Sequence, residues 1–283
     1  MNDTVKIKGL IFPFIFSVCI LIFIFFRDFS TQQAKSIFCN VGQGDAIYLR
    51  TQKGTDILVD SGPDQRVLSC LGKYMPVYDK TIEYVFLTHP QTDHYSGLFK
   101  IIEHYKVKGV YLTVKNYQDD SQFLKLTKIL KNKNIPLFYV SRGDVLQIDQ
   151  FASLSVLWPE KNFTLKTNIS NKKIDINNFS LVAVFQENNF RLLLTGDISA
   201  SILERLLQKS NKNYNILKIP HHGSKYGLNQ KILQLAEPDA VVISVGKSNL
   251  YGHPAKEIIN LLQALKIKIK RTDSDGDIVF LGK

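Results

Sequence analysis

Leu87-Thr88-His89-Pro90-Gln91-Thr92-Asp93-His94 follows the apolar run Tyr84-Val85-Phe86 and leads into Tyr95-Ser96-Gly97-Leu98, where a helix is predicted to open. A strand thus delivers one histidine, then an aspartate and a second histidine, all within one tight loop. Imidazole nitrogen and carboxylate oxygen at that spacing suit Zn²⁺, Mn²⁺ or iron. Three further stretches share this design. Leu193-Leu-Thr-Gly-Asp197 ends an apolar strand in a carboxylate, with glycine before it for close approach, and such an aspartate can give one oxygen to each of two cations. Lys218-Ile-Pro-His-His-Gly-Ser224 places two adjacent histidines after another strand, and Tyr251-Gly-His-Pro254 precedes a helix. Of the six histidines only His104 falls outside these loops.

Outward from these loops, strand-like and helix-like segments alternate. Ile57–Asp60, Tyr84–Thr88, Val110–Thr113, Leu192–Thr195, Ile216–Ile219 and Ala240–Ser244 are short apolar runs that end in polar or glycine-containing turns. Helical periodicity is predicted over Ser199–Gln208, Asn229–Leu235 and Ala255–Leu265, and a hairpin where Ser180–Phe185 and Arg191–Thr195 flank Glu187-Asn-Asn189. This alternation implies a layered α/β protein with its chemistry at the strand ends.

The chain has 283 residues, 45% of them hydrophobic, which is enough apolar surface for a real core and excludes disorder as the default. A net charge of +11 points toward a polyanionic partner, nucleic acid or an anionic membrane surface. Cys19, Cys39 and Cys70 form neither a C-x-x-C pair nor an even set, so neither a thiolate zinc cluster nor a disulfide framework is predicted. Between Lys8 and Arg27 the run Gly9–Phe26 is interrupted only by Pro13 and Ser17, and it reaches the lower limit of about 18 residues for a membrane-crossing helix. Lys6 and Lys8 precede it, while Arg27 is offset by Asp28, which places the N-terminus in the cytoplasm and the rest outside. The predicted organisation is a cytoplasmic N-terminus and anchor over residues 1–30 and one folded domain over 31–283, held at the cell membrane as a single-pass protein.

Taken in order, Asn40-Val-Gly-Gln-Gly-Asp45, Leu58-Val-Asp-Ser-Gly62, Leu87–His94, Asn178-Phe-Ser-Leu181, Leu194-Thr-Gly-Asp197, Pro220-His-His-Gly-Ser224, Tyr251-Gly-His-Pro254 and Arg271-Thr-Asp-Ser-Asp-Gly276 resemble the extracytoplasmic hydrolase domain of ComEC-type competence proteins. The resemblance runs from about Ser36 onward. It implies an α/β metallo-β-lactamase αββα sandwich, two mixed sheets with outer helices, here preceded by one transmembrane helix. It also implies two divalent ions, Zn or Mn, and a nuclease acting on DNA during uptake, with a separate channel protein as partner, since these residues include no polytopic channel region. A small-molecule or cell-surface phosphoester hydrolase, or a non-catalytic DNA-binding relative, remains the alternative. Asn40 stands where the family has aspartate, and Gln91 where the wider fold has histidine, so the first metal site is expected to be loose.

The expected arrangement places His89 and either His221 or His222 on one ion, with Gln91 as a candidate further ligand. Asp93, His94 and His253 hold the other, with Asp197 between them. Asp93 and His222 are the candidate catalytic residues; the histidine left free by the first ion can contact the scissile phosphate or protonate the leaving oxygen. Asp45 and Asp60 either orient ligand imidazoles or only shape turns. Ser224, Lys225, Asn178 and Ser180 are candidate phosphate contacts. Basic residues in Lys125–Lys133, Lys161–Lys173, Lys209–Lys218 and Lys266–Arg271 could hold a nucleic-acid backbone, and Tyr95, Tyr226 and Tyr251 could stack on unpaired bases.

Overall fold

In the computed structural model, which describes residues 13–20, 22–23, 33–115, 117, 120–162, 175–210 and 213–282, the apolar runs become strands of two large sheets. The first half of the chain supplies β1 (Lys35–Phe38), β2 (Ile47–Arg50), β3 (Asp56–Val59), β4 (Thr81–Ile82), β5 (Tyr84–Leu87), β6 (Lys106–Val107), β7 (Val110–Leu112) and β8 (Leu137–Tyr139), with helices α1 (Arg66–Tyr74), α2 (Thr92–Tyr95), α3 (Leu98–His104) and α4 (Ser121–Asn132) between them. The second half supplies β9 (Val145–Gln147), β10 (Ala152–Trp158), β11 (Val182–Glu187), β12 (Phe190–Leu194), β13 (Ile216–Lys218), β14 (Ala240–Ile243) and β15 (Lys268–Arg271), with helices α5 (Ala200–Leu207), α6 (Gln230–Ala236) and α7 (Lys256–Ala264); β16 (Ile278–Leu281) follows. The sheet orders are β16-β1-β2-β3-β5-β7-β8 and β15-β14-β13-β12-β11-β10-β9, and β4 pairs with β6 separately. The last strand therefore crosses back to pair with the first, antiparallel.

Uniformly apolar strands form because both faces of each sheet are covered. In β3, Ile57 and Val59 enter the core shared by the two sheets while Leu58 faces the helices, and β12 repeats the alternation with Leu192 and Leu194 against Leu193. Three cores result. Phe38, Leu49 and Phe86 meet Leu154, Phe185 and Val242 between the sheets. Tyr48 and Val85 pack with Leu71, Ile101 and Leu126 of α1, α3 and α4, and Leu217 and Val241 pack with Leu203, Ile232 and Leu262 of α5, α6 and α7. Each fully buried large apolar side chain contributes roughly 1.5–3 kcal/mol, so the four-layer αββα arrangement follows from where these residues go. The predicted hairpin forms, with Glu187 paired to Phe190 and Asn188 in the left-handed region at φ 51.

Parallel pairing of β3 with β5 and β5 with β7 in one sheet, and of β12, β13 and β14 in the other, sends successive C-terminal strand ends the same way within each sheet. The loops carrying Asp60, His89–His94, Asp197, His221–His222 and His253 follow such ends.

One expectation changes. Cys39 and Cys70, both buried, form a disulfide with Cα atoms 5.8 Å apart, where three scattered cysteines had argued against any bridge. The pairing is tertiary: Cys39 follows β1, Cys70 sits inside α1, and no local spacing announces that the first sheet and this helix pack together. The chain also divides into two compact units, one ending at Gln33 and the other beginning at Ala34. Among the described residues no helix is long and apolar enough to cross a membrane. The predicted span over 10–26 lies partly outside the described residues; residues 13–20 and 22–23 are helical, with Phe14, Phe16 and Phe23 exposed.

Candidate metal centre

The backbone turns to positive φ at Asp60, immediately after β3 (φ 59), and this aims its carboxylate at the β5 loop. Oδ1 accepts from the Thr88 amide (2.8 Å), and Oδ2 accepts from the Thr88 hydroxyl (2.8 Å) and from His94 Nδ1 (2.8 Å). With Nδ1 so held, His94 presents Nε2 at 3.4 Å from Asp197 Oδ2 and 3.9 Å from Asp93 Oδ2. His222 is oriented the same way by a different partner: Nδ1 donates to the Ser244 carbonyl (2.9 Å), leaving Nε2 3.3 Å from Asp93 Oδ2 and 3.4 Å from Asp197 Oδ2. Asp197 is fixed in turn by its amide, which donates to Ser180 Oγ (2.9 Å). His89 lies beside this set, its Nδ1 3.0 Å from Thr88 Oγ1 and 3.3 Å from Ser180 Oγ, and its Nε2 3.1 Å from the Gln91 side-chain oxygen. The groups with metal-ligand spacing are Asp93–His94–His222, His89–His94–Asp197, Asp45–Asp197–His222 and Asp45–Asp60–His94.

The charges show what the cluster lacks. Burial opposes a proton on His94, yet Asp197, Asp60 and Asp93 outweigh it and hold its pKa well above the ordinary value. His222 is pushed up to about 10: burial works against its charge, and Asp197, Asp45 and Asp93 overcome it. Asp197 is held well below the usual carboxylate range, because His222, His94 and Lys218 outweigh its burial. His89 is pushed down to about 3 by burial and by His94, which outweigh the opposite pull of Asp197 and Asp93. The carboxylates around His94 and His222 thus favour positive charge at this place. The buried Nε2 atoms of His94 and His222 and Oδ1 of Asp197 have no hydrogen-bond partner. Two imidazoles fixed from behind, two carboxylates and bare inward-facing atoms fit one divalent ion closely. At His89 the set is poorer, with Asp197 and the neutral amide of Gln91.

The grouping differs from the one predicted. His222, not His253, joins Asp93 and His94, because the 220–223 turn carries His221 and His222 at positive φ (49 and 52) and drives their rings apart. His221 remains part-exposed in the cleft, its Nε2 4.0 Å from Asp197 Oδ2, and His253 sits 5.7 Å from it, ring to ring. The cleft, of about 410 Å³, is lined by Gln43, Gln91, Tyr117, Asp120, Asn177 and Tyr251 around Asp93, Asp197, His221, His222 and His253. Four proposed phosphate contacts lie off its lining. Ser180 is buried behind Asp197, and Asn178, whose carbonyl accepts from Trp158, is replaced at the wall by Asn177. Ser224 is buried, and Lys225 is exposed over the Tyr226 ring. Tyr95 is fully buried and donates to Asp120, so it is not open to a base. No Lys or Arg is among the described lining residues, and the basic stretch over 161–173 lies mostly outside the described residues. A separate cavity of about 370 Å³ beside Ser36, Gln52, Glu187 and Phe280 contains none of the histidines.

Lys218 was not anticipated. It is fully buried on β13, its ammonium paired with Asp45, 3.2 Å from the Gly196 carbonyl and 3.8 Å from Asp197 Oδ1. Burial disfavours its charge, but Asp45 and Asp197 raise its pKa nonetheless. A lone lysine inside the apolar run Ile216-Leu-Lys-Ile219 was the available signal. Asp45 therefore meets Lys218 and, at 3.5 Å, His222 Nδ1.

Two sheets with helices on both outer faces, and a His/Asp cluster on the loops after their parallel strands, define the architecture. The fold is that of the metallo-β-lactamase superfamily. A family described as the metallo-beta-lactamase superfamily matches residues 39–118. ComE operon protein 3 of Bacillus subtilis (strain 168) is 28% identical over 260 residues, covering 85% of this chain and 32% of that protein. Recombination protein 2 of Haemophilus influenzae is 24% identical over 270 residues, covering 93% and 31%. The chain thus resembles ComEC-type competence proteins, and it spans about a third of the length of these relatives. CmlA, a diiron beta-hydroxylase from Streptomyces venezuelae, shares the fold at a TM-score of 0.55, with 14% identity over 88% of this chain and 54% of that one.

Proposed function

We propose that the chain is a metal-dependent phosphodiesterase acting on DNA outside the cytoplasm, anchored through residues 10–26 and working beside a separate DNA-uptake channel protein. One observation carries the reading: Asp93, His94, Asp197 and His222 converge with unpartnered ligating atoms, each imidazole held from behind. These four would hold one divalent ion, Zn²⁺ or Mn²⁺, and His89 with Asp197 and Gln91 a second, weaker one. Divalent ions held there would supply an acidified water and stabilise the charge of a phosphodiester displacement. The side chains do the rest. Asp60 and the Ser244 carbonyl keep both imidazoles in the ligating tautomer, Lys218 holds Asp45 and Asp197 apart from each other's charge, and His221, part-exposed in the cleft, is placed to protonate the leaving oxygen. The Cys39–Cys70 bridge supports an oxidising compartment, and the charges flanking residues 10–26 support the same side.

The absence of Lys and Arg from the described cleft lining favours a second reading, hydrolysis of a small or cell-surface phosphoester. The full chain, loaded with Mn²⁺ or Zn²⁺, is assayed against single- and double-stranded DNA and a generic phosphodiester. Cleavage of DNA that chelation and Asp197→Ala both abolish supports the first reading; turnover of the generic diester alone supports the second; none at all refutes both. Protease added outside intact cells is expected to digest the domain, and protection until lysis would reverse the topology.

A further inference from the structure

Beside the cleft, the loop from Gly246 to His253 is organised around one amide. Asn249 Nδ2 donates to the carbonyls of Gly246 (3.0 Å) and His253 (2.6 Å), and its Oδ1 accepts from the amides of Tyr251 (3.1 Å) and His253 (3.0 Å). The base of the loop is tied across to Gln43, whose Oε1 accepts from the Gly246 amide (3.1 Å). A loop ordered this completely still leaves its largest apolar side chains in water: Leu250 is 100% and Tyr251 72% exposed. The Tyr251 ring lies nearly parallel to that of His253, 21° between planes and 6.0 Å between centroids, and His253 meets His221 edge-on. The rings form a file that starts in solvent and ends 4.0 Å from the carboxylate of Asp197.

We propose that Tyr251, held by Asn249 and backed by His253, is the stacking platform for an unpaired nucleobase next to the scissile phosphate. The inference rests on the phosphodiesterase reading above and adds to it a preference for single strands. An aromatic face offered to solvent takes a base only if the base's own face is free, and in a duplex both faces are covered by neighbouring pairs; stacking is indifferent to sequence because every base has a π-face. The cleft of about 410 Å³ is of the size that accepts one small ligand unit such as a nucleotide. With no Lys or Arg among its described lining residues, affinity must come from such contacts and from bound metal. Rigidity of the loop lowers the ordering cost of binding.

The test uses the full chain in mild detergent with Mn²⁺, and compares kcat/KM for a short single-stranded oligodeoxynucleotide and for its counterpart lacking the base beside the cleaved position. Wild type is expected to favour the base-bearing oligomer on the order of tenfold. Tyr251→Ala should bring the ratio close to one, and Tyr251→Trp should keep it. Tyr251 is exposed, so this variant folds; Asn249→Ala, checked by melting, should lower the ratio in the same direction. Ribo-oligomers run in parallel: a matching ratio assigns the platform to any base, and a ratio seen with deoxy-oligomers alone assigns it to DNA. A wild-type ratio near one, or a ratio that Tyr251→Ala leaves unchanged, overturns the inference while the phosphodiesterase reading stands. Cleavage of neither oligomer overturns both.

Discussion

Asp60→Asn separates the metal centre from the fold around it. The substitution keeps size and shape, and asparagine tolerates the left-handed backbone that Asp60 adopts (φ 59), where alanine would be strained. In the native site the Asp60 carboxylate accepts three hydrogen bonds, two from Thr88 and one from His94 Nδ1. An asparagine can still accept from the Thr88 amide through Oδ1, but its –NH₂ then faces His94. That imidazole must turn its Nδ1 lone pair toward the amide and carry its proton on Nε2, the atom that would ligate. Loss of such a backing carboxylate typically costs 10–100-fold in metal affinity, about 1.4–2.7 kcal/mol, and the inverted tautomer places this case at the upper end. Competition titration of Mn²⁺ or Zn²⁺ against a chromophoric chelator reads the loss directly, with metal-free melting as the control for folding. Affinity within twofold of wild type, in a folded variant, would show that His94 does not ligate through Nε2, and the proposed centre would be wrong.

Gln91→His or Gln91→Asp should tighten the weaker site, because an imidazole or carboxylate replaces a neutral amide, whereas Asp197→Ala should empty both; His104→Ala, exposed and outside every motif, should change nothing in the same titration. The pKa of His222 is raised from 6.5 to about 10, so its share of the metal-free protein's stability is complete below pH 6.5 and lost as pH climbs toward 10. Denaturant titrations should show the metal-free chain weakening over that window, while metal affinity rises by up to about tenfold per pH unit for each proton displaced; pH-independent affinity would refute the proton–metal competition. Cys39→Ser with Cys70→Ser, or reduction, should lower unfolding free energy by about 3–4 kcal/mol for a bridge of sequence separation 31, measured by urea melting with and without dithiothreitol.

The sequence was most legible where strands are buried on both faces. The runs at 57–60, 84–88, 192–195, 216–219 and 240–244 read as apolar stretches and form β3, β5, β12, β13 and β14. The loops that follow them carry the metal-centre residues, so strand and chemistry could be read together. Edge and short strands escaped notice: β8 and β9 expose alternate residues, and β1 and β16 find each other only across nearly the whole chain. Individual ligands were identifiable by residue type, but their partition was not. Which of His221 and His222 turns inward depends on two consecutive positive φ values, and spacing along the chain carries no information about them. Ser180 and Lys218 had the same difficulty. Their roles come from which atoms they approach in three dimensions, with Ser180 behind Asp197 and Lys218 between two carboxylates.

Lys218 has a consequence for the order of events in the life of this protein. Its ammonium, with the protons retained on His94 and His222, sets three positive groups against the four carboxylates Asp45, Asp60, Asp93 and Asp197. A cavity so nearly neutral does not require ions to hold it together while the chain assembles, since no four bare negative charges are forced into one interior. Under the proposed metal-dependent reading, folding and metal uptake would thereby be separable: the chain would fold with its histidines and Lys218 balancing the carboxylates, and a divalent cation would displace the imidazole protons afterwards.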